Sequence, residues 1–257
     1  MTDLAQLFGT PEPVALVTGS GAPRVGNHVA RALGARGYRL VIHANTSLDE
    51  ARTTADELQR RGAGAIAVQA NLAEEGEVEQ LIAAAVEQFG RIDALVNCAA
   101  IWESKPLDDV RADDVRRHFE INTLGTFLCC QHVGRVMAAQ STGGAIVNLG
   151  DWAIVRPYAN YAAYFPSKGA IPTLTRTLAV ELAARNANIR VNCVSPGPVM
   201  LPASLPEAER RAAIEATLVK REGSPANVAD AVIFLLENDF ITGVTLPVDG
   251  GRSVYAP

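Results

Sequence analysis

The 257-residue chain reads as an α/β protein in which a doubly wound parallel sheet of about seven strands carries helices on both faces. Three observations predict this. Short apolar runs alternate with longer amphipathic stretches along nearly the whole chain. The runs are apolar at successive positions rather than at every second one, as expected of strands covered on both faces. Most of them end in Gly, Asn or Asp, so polar groups collect at one end of the strands. No low-complexity linker and no internal repeat interrupts the alternation, and residues 1–257 are expected to form a single domain.

The elements follow in order. VALVTG (14–19) is a buried strand ending in glycine, and Val25 to Arg36 carries a helical stripe of Val25, Val29 and Leu33. RLVIHA (39–44) is the second strand, after which Ser47 is placed to cap a helix running to about Arg61. AIAVQA (65–70), a helix from Glu74 to Phe89 and DALVNC (93–98) come next. A long helix spans Asp113 to Ala139, AIVNLG (145–150) is the fifth strand, and a further helix runs from about Tyr161 to Arg185. IRVNCVSP (189–196), a helix from Val228 to Leu236 and a last strand in VTLPVDGG (244–251) complete the pattern. Pro172 removes the intrahelical partner of the Lys168 carbonyl, which predicts an irregularity near 168–172. Right-handed crossovers place ligand chemistry beyond the carboxyl ends of the strands, here TG, HAN, AN, NCAA, LGD and SPGPV.

Composition excludes several classes. A net charge of −5 with no basic concentration argues against a nucleic-acid surface. Cys98, Cys129, Cys130 and Cys193 show neither paired-ligand spacing nor a disulfide framework, and His28, His43, His118 and His132 show no spacing for a metal or a triad. No metal is expected. The start MTDLAQLFGTPEP lacks a charged segment followed by an apolar one, and no apolar run reaches the roughly 18 residues that span a bilayer. The expectation is a cytoplasmic protein without a membrane partner.

Two motifs carry chemistry. In YFPSK, Tyr164 and Lys168 lie four apart, so on a helix an ammonium sits beside a phenol and favours its phenolate. That pairing suits a general acid. At the first strand–helix junction, TGSGAPRVG (18–26) places Gly19, Gly21, Arg24 and Val25 where backbone amides and a helix N-terminus hold a pyrophosphate. The second strand ends in Asn45, Thr46 and Ser47, with no acid before Asp49 to grip a ribose diol. Amides, hydroxyls and Arg24 suit a 2′-phosphate instead, which predicts NADP(H) as the preferred dinucleotide.

Thr18-Gly19, Asn97, Asn122, Tyr164 with Lys168, Pro196-Gly197 and the terminal ITGVTLPVDGG together resemble the short-chain dehydrogenase/reductase family along nearly the whole chain. The resemblance implies a Rossmann-type fold, a nicotinamide cofactor, hydride transfer to or from a small molecule, and a homotetramer. It also implies that Tyr164 donates the proton, that Lys168 holds the nicotinamide ribose and lowers the tyrosine pKa, and that Asn122 anchors a water in a proton relay. Asn97, Ala99, Pro196 and Gly197 would line the cofactor cleft. Asn71, with Leu72 beside it, stands where an adenine-contacting acid is usual.

Departures from the pattern narrow it. The family's common serine lies thirteen positions before the tyrosine, and that position is Asp151. An ionised aspartate accepts hydrogen bonds but donates none. Asn-Asn-Ala-Gly becomes Asn97-Cys98-Ala99-Ala100, and Pro23-Arg24 enters the glycine loop. Asp151, DWAIVRPYANYAAYFPSKGA and Arg24 resemble pteridine reductases, which implies that Trp102 stacks on a pterin, that Asp151 holds its aminopyrimidine edge and that Arg24 touches both phosphate and pterin. Tyr161, one turn before Tyr164, is a candidate pocket residue, and 198–223 is the expected substrate lid. The reading is an NADPH-dependent reductase of a pterin- or folate-like C=N bond. The alternatives are a carbonyl reductase of an oxoacyl thioester, sugar or small ketone, and a non-catalytic NADP(H)-sensing protein.

Overall fold

A computed structural model describes residues 2–255. Its strands are β1 (Val14–Thr18), β2 (Arg39–Ala44), β3 (Ala65–Gln69), β4 (Ala94–Asn97), β5 (Gly144–Leu149), β6 (Ile189–Pro196) and β7 (Thr245–Val248). All pair in parallel, in the order β3-β2-β1-β4-β5-β6-β7. The helices are α1 (Leu4–Phe8), α2 (Val25–Arg36), α3 (Leu48–Arg60), α4 (Glu75–Phe89), α5 (Ala112–His118), α6 (Gly125–Ala139), α7 (Tyr164–Ala183), α8 (Glu207–Glu215) and α9 (Pro225–Glu237). None of them is long and apolar enough to cross a membrane.

The two faces of the sheet explain the unbroken apolar runs. Successive strand residues point to opposite faces. Val17, Leu40 and Ile42 pack with Val29, Leu33, Leu58 and Val232 of α2, α3 and α9 on one side. Leu16, Val41 and Ile146 pack with Leu81, Val133 and Leu178 of α4, α6 and α7 on the other. Neither face of a central strand meets water, so most positions are apolar and the buried polar ones, such as Thr18, His43, Asn97 and Asn148, are hydrogen-bonded. The chain reverses its direction of winding between β1 and β4, and the crevice that opens there is the expected ligand site.

Several boundaries differ from the sequence reading. The long helix expected from Asp113 to Ala139 is divided by a π-helical segment, Phe119–Leu124, between α5 and α6. Conversely, α7 runs from Tyr164 to Ala183 with Pro172 inside it, so the helix is not divided there, although Pro172 has no N–H to offer the Lys168 carbonyl. Pro166 lies in the first turn, where its missing N–H has no intrahelical partner to lose. Pro172 is only partly buried, and the space around Gly169, three residues earlier, is open, so the ring is accommodated toward solvent. The helix begins at Tyr164 rather than Tyr161, after Asn160 in a left-handed conformation, φ 71°, and a turn at 162–163. Ser47 precedes α3 but makes no side-chain cap bond. The last strand ends at Val248, and Gly250 and Gly251 turn the chain with φ of 62° and 77°.

Gly19 shows how tightly the crevice floor is built. Its φ is +63°, and a Cβ there would lie 2.7 Å from the Cα of Ala99, backbone that cannot yield. Gly19→Ala is therefore expected to cost about 2–4 kcal/mol, combining left-handed strain with overpacking. Gly62→Ala, at φ +91° but in open space, is expected to cost only about 1 kcal/mol. Urea midpoints measured side by side check the difference; equal losses would contradict it.

Candidate active site

The loop after β1 is held by side chains distant in sequence. Thr18 Oγ1 accepts from the backbone N–H of Cys98 at 3.0 Å and of Ala99 at 3.1 Å, tying β1 to the β4 loop. The Gly19 N–H donates to His43 Nδ1 at 3.0 Å, which leaves Nε2 to carry the proton it donates to the Ala70 carbonyl at 2.9 Å. Burial lowers the His43 pKa and keeps that ring neutral. Asn27 Nδ2 reaches the carbonyls of Ser20 and Gly21 and the Thr54 hydroxyl. Gly26 must be glycine, since a Cβ would lie 2.6 Å from the Gly19 carbonyl.

This construction presents the start of α2 to the crevice. Arg24 occupies the N-cap position in extended backbone and gives no side-chain cap, so the first helical N–H groups keep their donors for a ligand. The Arg24 side chain is exposed and joins no ion pair among the described residues. Asn45 and Thr46 are exposed at the end of β2, and the hydroxyl of Ser47 is not spent on capping. Gly21 and Ser47 are neighbours, because a Cβ on Gly21 would lie 2.9 Å from Ser47 Oγ. This donor set fits a dinucleotide phosphate, which Gly21, Arg24, Val25, Asn45, Thr46 and Ser47 would hold.

Other expected cofactor residues serve the scaffold first. Asn97 is buried and donates to Asn148 Oδ1 at 2.9 Å and to Cys130 Sγ at 3.2 Å, so it lies beneath the crevice while Cys98 faces it. That corrects its assignment to the cleft wall. Asn71 folds its own turn, accepting from Ala73 N–H, and Leu72 is buried against Gly125. Ala99 is partly buried beside Gly19, while Pro196 and Gly197 reach the cavity described next.

Val25, Cys98, Asp151, Tyr164 and Lys168 line one cavity of about 610 Å³. A cavity of similar size beside α1, about 630 Å³ and lined by Asp3, Arg190 and Glu237, contains none of these groups. Tyr164 and Lys168 share a face of α7, as their spacing requires. The Tyr164 hydroxyl donates to Asp151 Oδ2 at 2.7 Å, and Asp151 Oδ1 accepts from the Ala153 N–H at 2.7 Å. Lys168 is buried and donates to the Leu149 carbonyl at 2.7 Å.

The electrostatics correct one expectation. Burial, then the charge and hydrogen bond of Asp151, push the Tyr164 phenol above its ordinary value rather than below it. Lys168 spends its charge elsewhere. Burial lowers the amine's own pKa while Asp151 most strongly opposes that shift. Burial raises the Asp151 carboxyl, against the bonds from Ala153 and Tyr164 and the charge of Lys168. The site thus stores a proton on a short phenol–carboxyl bond.

Asn122 is buried and bound into the scaffold. Its Oδ1 accepts from Ile101 N–H at 2.8 Å, and its Nδ2 donates to the Ile101 carbonyl and to Ser167 Oγ, each at 3.0 Å. Both Nδ2 hydrogens are used, while Oδ1 accepts one bond and keeps a second acceptor site. These bonds tie the π segment to the β4 loop and α7.

The mouth of the cavity is aromatic. Trp102 is 46% exposed, but one face of it stacks on Tyr161 with centroids 5.1 Å apart. Trp152 stacks on Tyr158 at 6.3 Å, and Tyr158 meets Tyr161 edge-on at 5.2 Å. Trp152, Tyr158 and Arg252, which also reach this cavity, were not among the residues expected from the sequence. The available signal was clustering, since three of the five tyrosines and one of the two tryptophans fall between 152 and 164. Segment 198–223 carries α8 and is closed on itself by Arg210, which donates to Glu222 at 2.7 Å and to the Pro202 carbonyl at 3.0 Å. Met200, Leu205 and Glu209 of this segment face the cavity.

Comparison with known proteins agrees with this geometry. A family profile described as Enoyl-(Acyl carrier protein) reductase matches residues 22–253. The chain is 34% identical to a 3-oxoacyl-[acyl-carrier-protein] reductase of Synechocystis, over 94% of this chain and 97% of the relative. It is 35% identical to carbonyl reductase family member 4 of Danio rerio over 98% of both chains. It is 33% identical to 3beta-hydroxysteroid dehydrogenase 1 of Eggerthella lenta over 93% of both. Matches of this extent, on a seven-stranded parallel sheet that brings Tyr164 and Lys168 to the crevice between β1 and β4, make the chain a member of the short-chain dehydrogenase/reductase family of oxidoreductases.

Proposed function

We propose that the protein is an NADPH-dependent reductase of a carbonyl group on a small substrate, with Tyr164 as proton donor. One observation carries this reading: the Tyr164 hydroxyl, bonded to Asp151 and sharing α7 with the buried Lys168, lines the cavity that opens beside the free start of α2. A bound reduced nicotinamide supplies hydride. The chain's part is to hold a carbonyl oxygen near the phenol, to deliver one proton to that oxygen and to exclude water with segment 198–223. Lys168, held by the Leu149 carbonyl, stands at the floor of the site, and Asp151, when protonated, supplies the proton that the phenol gives up. The relatives named as oxoacyl and carbonyl reductases support the same bond type.

NADPH preference rests on Arg24 and on the lack of an acid at the end of β2. Asp49 points to solvent and pairs with Arg52 at 3.3 Å. Arg24→Ala is expected to raise the KM for NADPH about tenfold or more while that for NADH changes less than about twofold. Equal effects on both would contradict a phosphate contact.

A second reading, reduction of a pterin C=N bond, draws on Asp151 and Trp102. Against it, both carboxyl oxygens of Asp151 already accept hydrogen bonds, and one face of Trp102 is covered by Tyr161. NADPH consumption measured with an acetoacetyl thioester, an aryl aldehyde and a dihydropterin separates the two; turnover confined to the dihydropterin would overturn the carbonyl reading. The homotetramer is likewise a proposal, supported by Phe234, Phe240 and Val244, which are exposed on or next to α9 and β7. Sedimentation at micromolar concentration tests it.

A further inference from the structure

Arg252 is the one cavity-lining charge that the chemistry above leaves unused besides Glu209 of the lid segment. Its place is built rather than accidental. Asp249 at the end of β7 accepts from the N–H groups of Gly251 at 2.9 Å and Ser253 at 2.7 Å, while the Arg252 N–H donates to the Asp249 carbonyl at 3.1 Å. That turn projects the guanidinium over the Trp152 ring, 4.8 Å from its centroid. Nη1 donates to the Ala216 carbonyl at 3.2 Å, which leaves the remaining N–H groups of the fork without a bond among the described residues.

Among the described residues no carboxylate pairs with this charge, and its strongest charged neighbour is another cation, Arg156. Burial and that neighbour disfavour its positive charge, yet an arginine stays a cation at any working pH. An incoming anion relieves both costs.

Aromatic rings line the cavity between Arg252 and Tyr164. From Arg252 the path runs over Trp152, then Tyr158 at 6.3 Å, Tyr161 at 5.2 Å and Tyr164 at 6.3 Å. Trp152 and Tyr158 stack within 28° of parallel, whereas Tyr158–Tyr161 and Tyr161–Tyr164 meet edge-on at 78° and 70°, so the lining is aromatic without being one flat face. We infer that Arg252 anchors a carboxylate on the substrate, so that the cavity takes a carbonyl compound whose acid group lies away from the reacting carbon. A carboxylate fits better than a phosphate, because Asp151 and Glu209 line the same cavity and repel a second negative charge.

The inference rests on the carbonyl reading, and the two fail separately. The test is calorimetry on the protein saturated with oxidised NADP, titrated with 4-formylbenzoate and with its uncharged methyl ester. The acid is expected to bind about tenfold or more tightly than the ester, the Arg252→Met variant to bind both alike, and Arg252→Lys to keep part of the preference. Equal binding of acid and ester by the unaltered protein overturns the inference, as does a preference undiminished in Arg252→Met. A guanidinium that merely pins Ala216 would give equal binding. Should Arg252→Met fail to fold, the ratio in the unaltered protein and in Arg252→Lys decides. A preference for the acid with no NADPH oxidation by either aldehyde upholds the anchor and overturns the reductase. NADPH oxidation with equal KM for both overturns the anchor alone.

Discussion

Replacing Tyr164 by Phe is expected to lower kcat by about 10²–10⁴-fold, the range that a positioned proton donor contributes. The ring itself should stay in place. It is packed against His118 and Phe165, with centroids 6.3 Å and 5.4 Å away, and neither contact uses the hydroxyl. What the substitution removes is the donor to Asp151 Oδ2, leaving a buried carboxyl with one bond fewer. Stability is therefore expected to fall by only about 1–2 kcal/mol at neutral pH, and less where Asp151 is protonated. Turnover within twofold of the unaltered protein would mean that Tyr164 is not the donor, whereas no turnover by either protein would favour the reading in which the chain binds NADP(H) without chemistry.

Asp151→Ser should change the pH dependence of kcat/KM. While Asp151 is ionised it holds the Tyr164 proton, as the hydrogen bond in the structure shows. Once protonated it becomes a donor, and the phenol is released to face a carbonyl oxygen. The competent form is thus the protonated pair, and activity is expected to fall about tenfold per pH unit above the raised pKa of that pair. Serine donates at every pH, so the variant should lose this fall and exceed the unaltered enzyme on the alkaline side. Superimposable profiles would contradict the coupling.

The same shift bears on stability. A carboxyl whose pKa is higher in the folded state than in the unfolded one stabilises the fold while it is protonated. That contribution is present below the usual carboxylate pKa and lost as pH rises through the raised value. Serine can still accept from the Ala153 N–H, so Asp151→Ser should leave the melting temperature at neutral pH unchanged or higher.

How far the sequence disclosed this arrangement depends on the range of each interaction. Strands such as VALVT and GAIVNL were legible because burial on both faces makes most successive positions apolar, with the polar ones near the carboxyl end. Tyr164 and Lys168 were legible because four residues on a helix fix their side. The π segment at Phe119–Leu124 was not, since a change in hydrogen-bond register leaves the apolar pattern intact. The pins at Thr18 and His43 were hidden for a different reason: their partners lie 80 and 24 residues away along the chain. The direction of the Tyr164 shift needed the fold as well, because burial and an acceptor at 2.7 Å outweigh an ammonium whose hydrogen bond goes to Leu149. Arg252 sits beyond a glycine turn, and only the folded chain returns it to the cavity.

The most direct test of the central claim follows a label. NADPH deuterated at the transferring position of C4 is supplied with an aryl aldehyde such as 4-formylbenzoate or with an oxoacyl thioester, and the product is analysed by mass spectrometry and NMR. Deuterium on the new carbinol carbon, formed by the unaltered protein and reduced at least a hundredfold with Tyr164→Phe, is the predicted result. An unlabelled alcohol, or label that appears only when a dihydropterin is the acceptor, would contradict carbonyl reduction at this site.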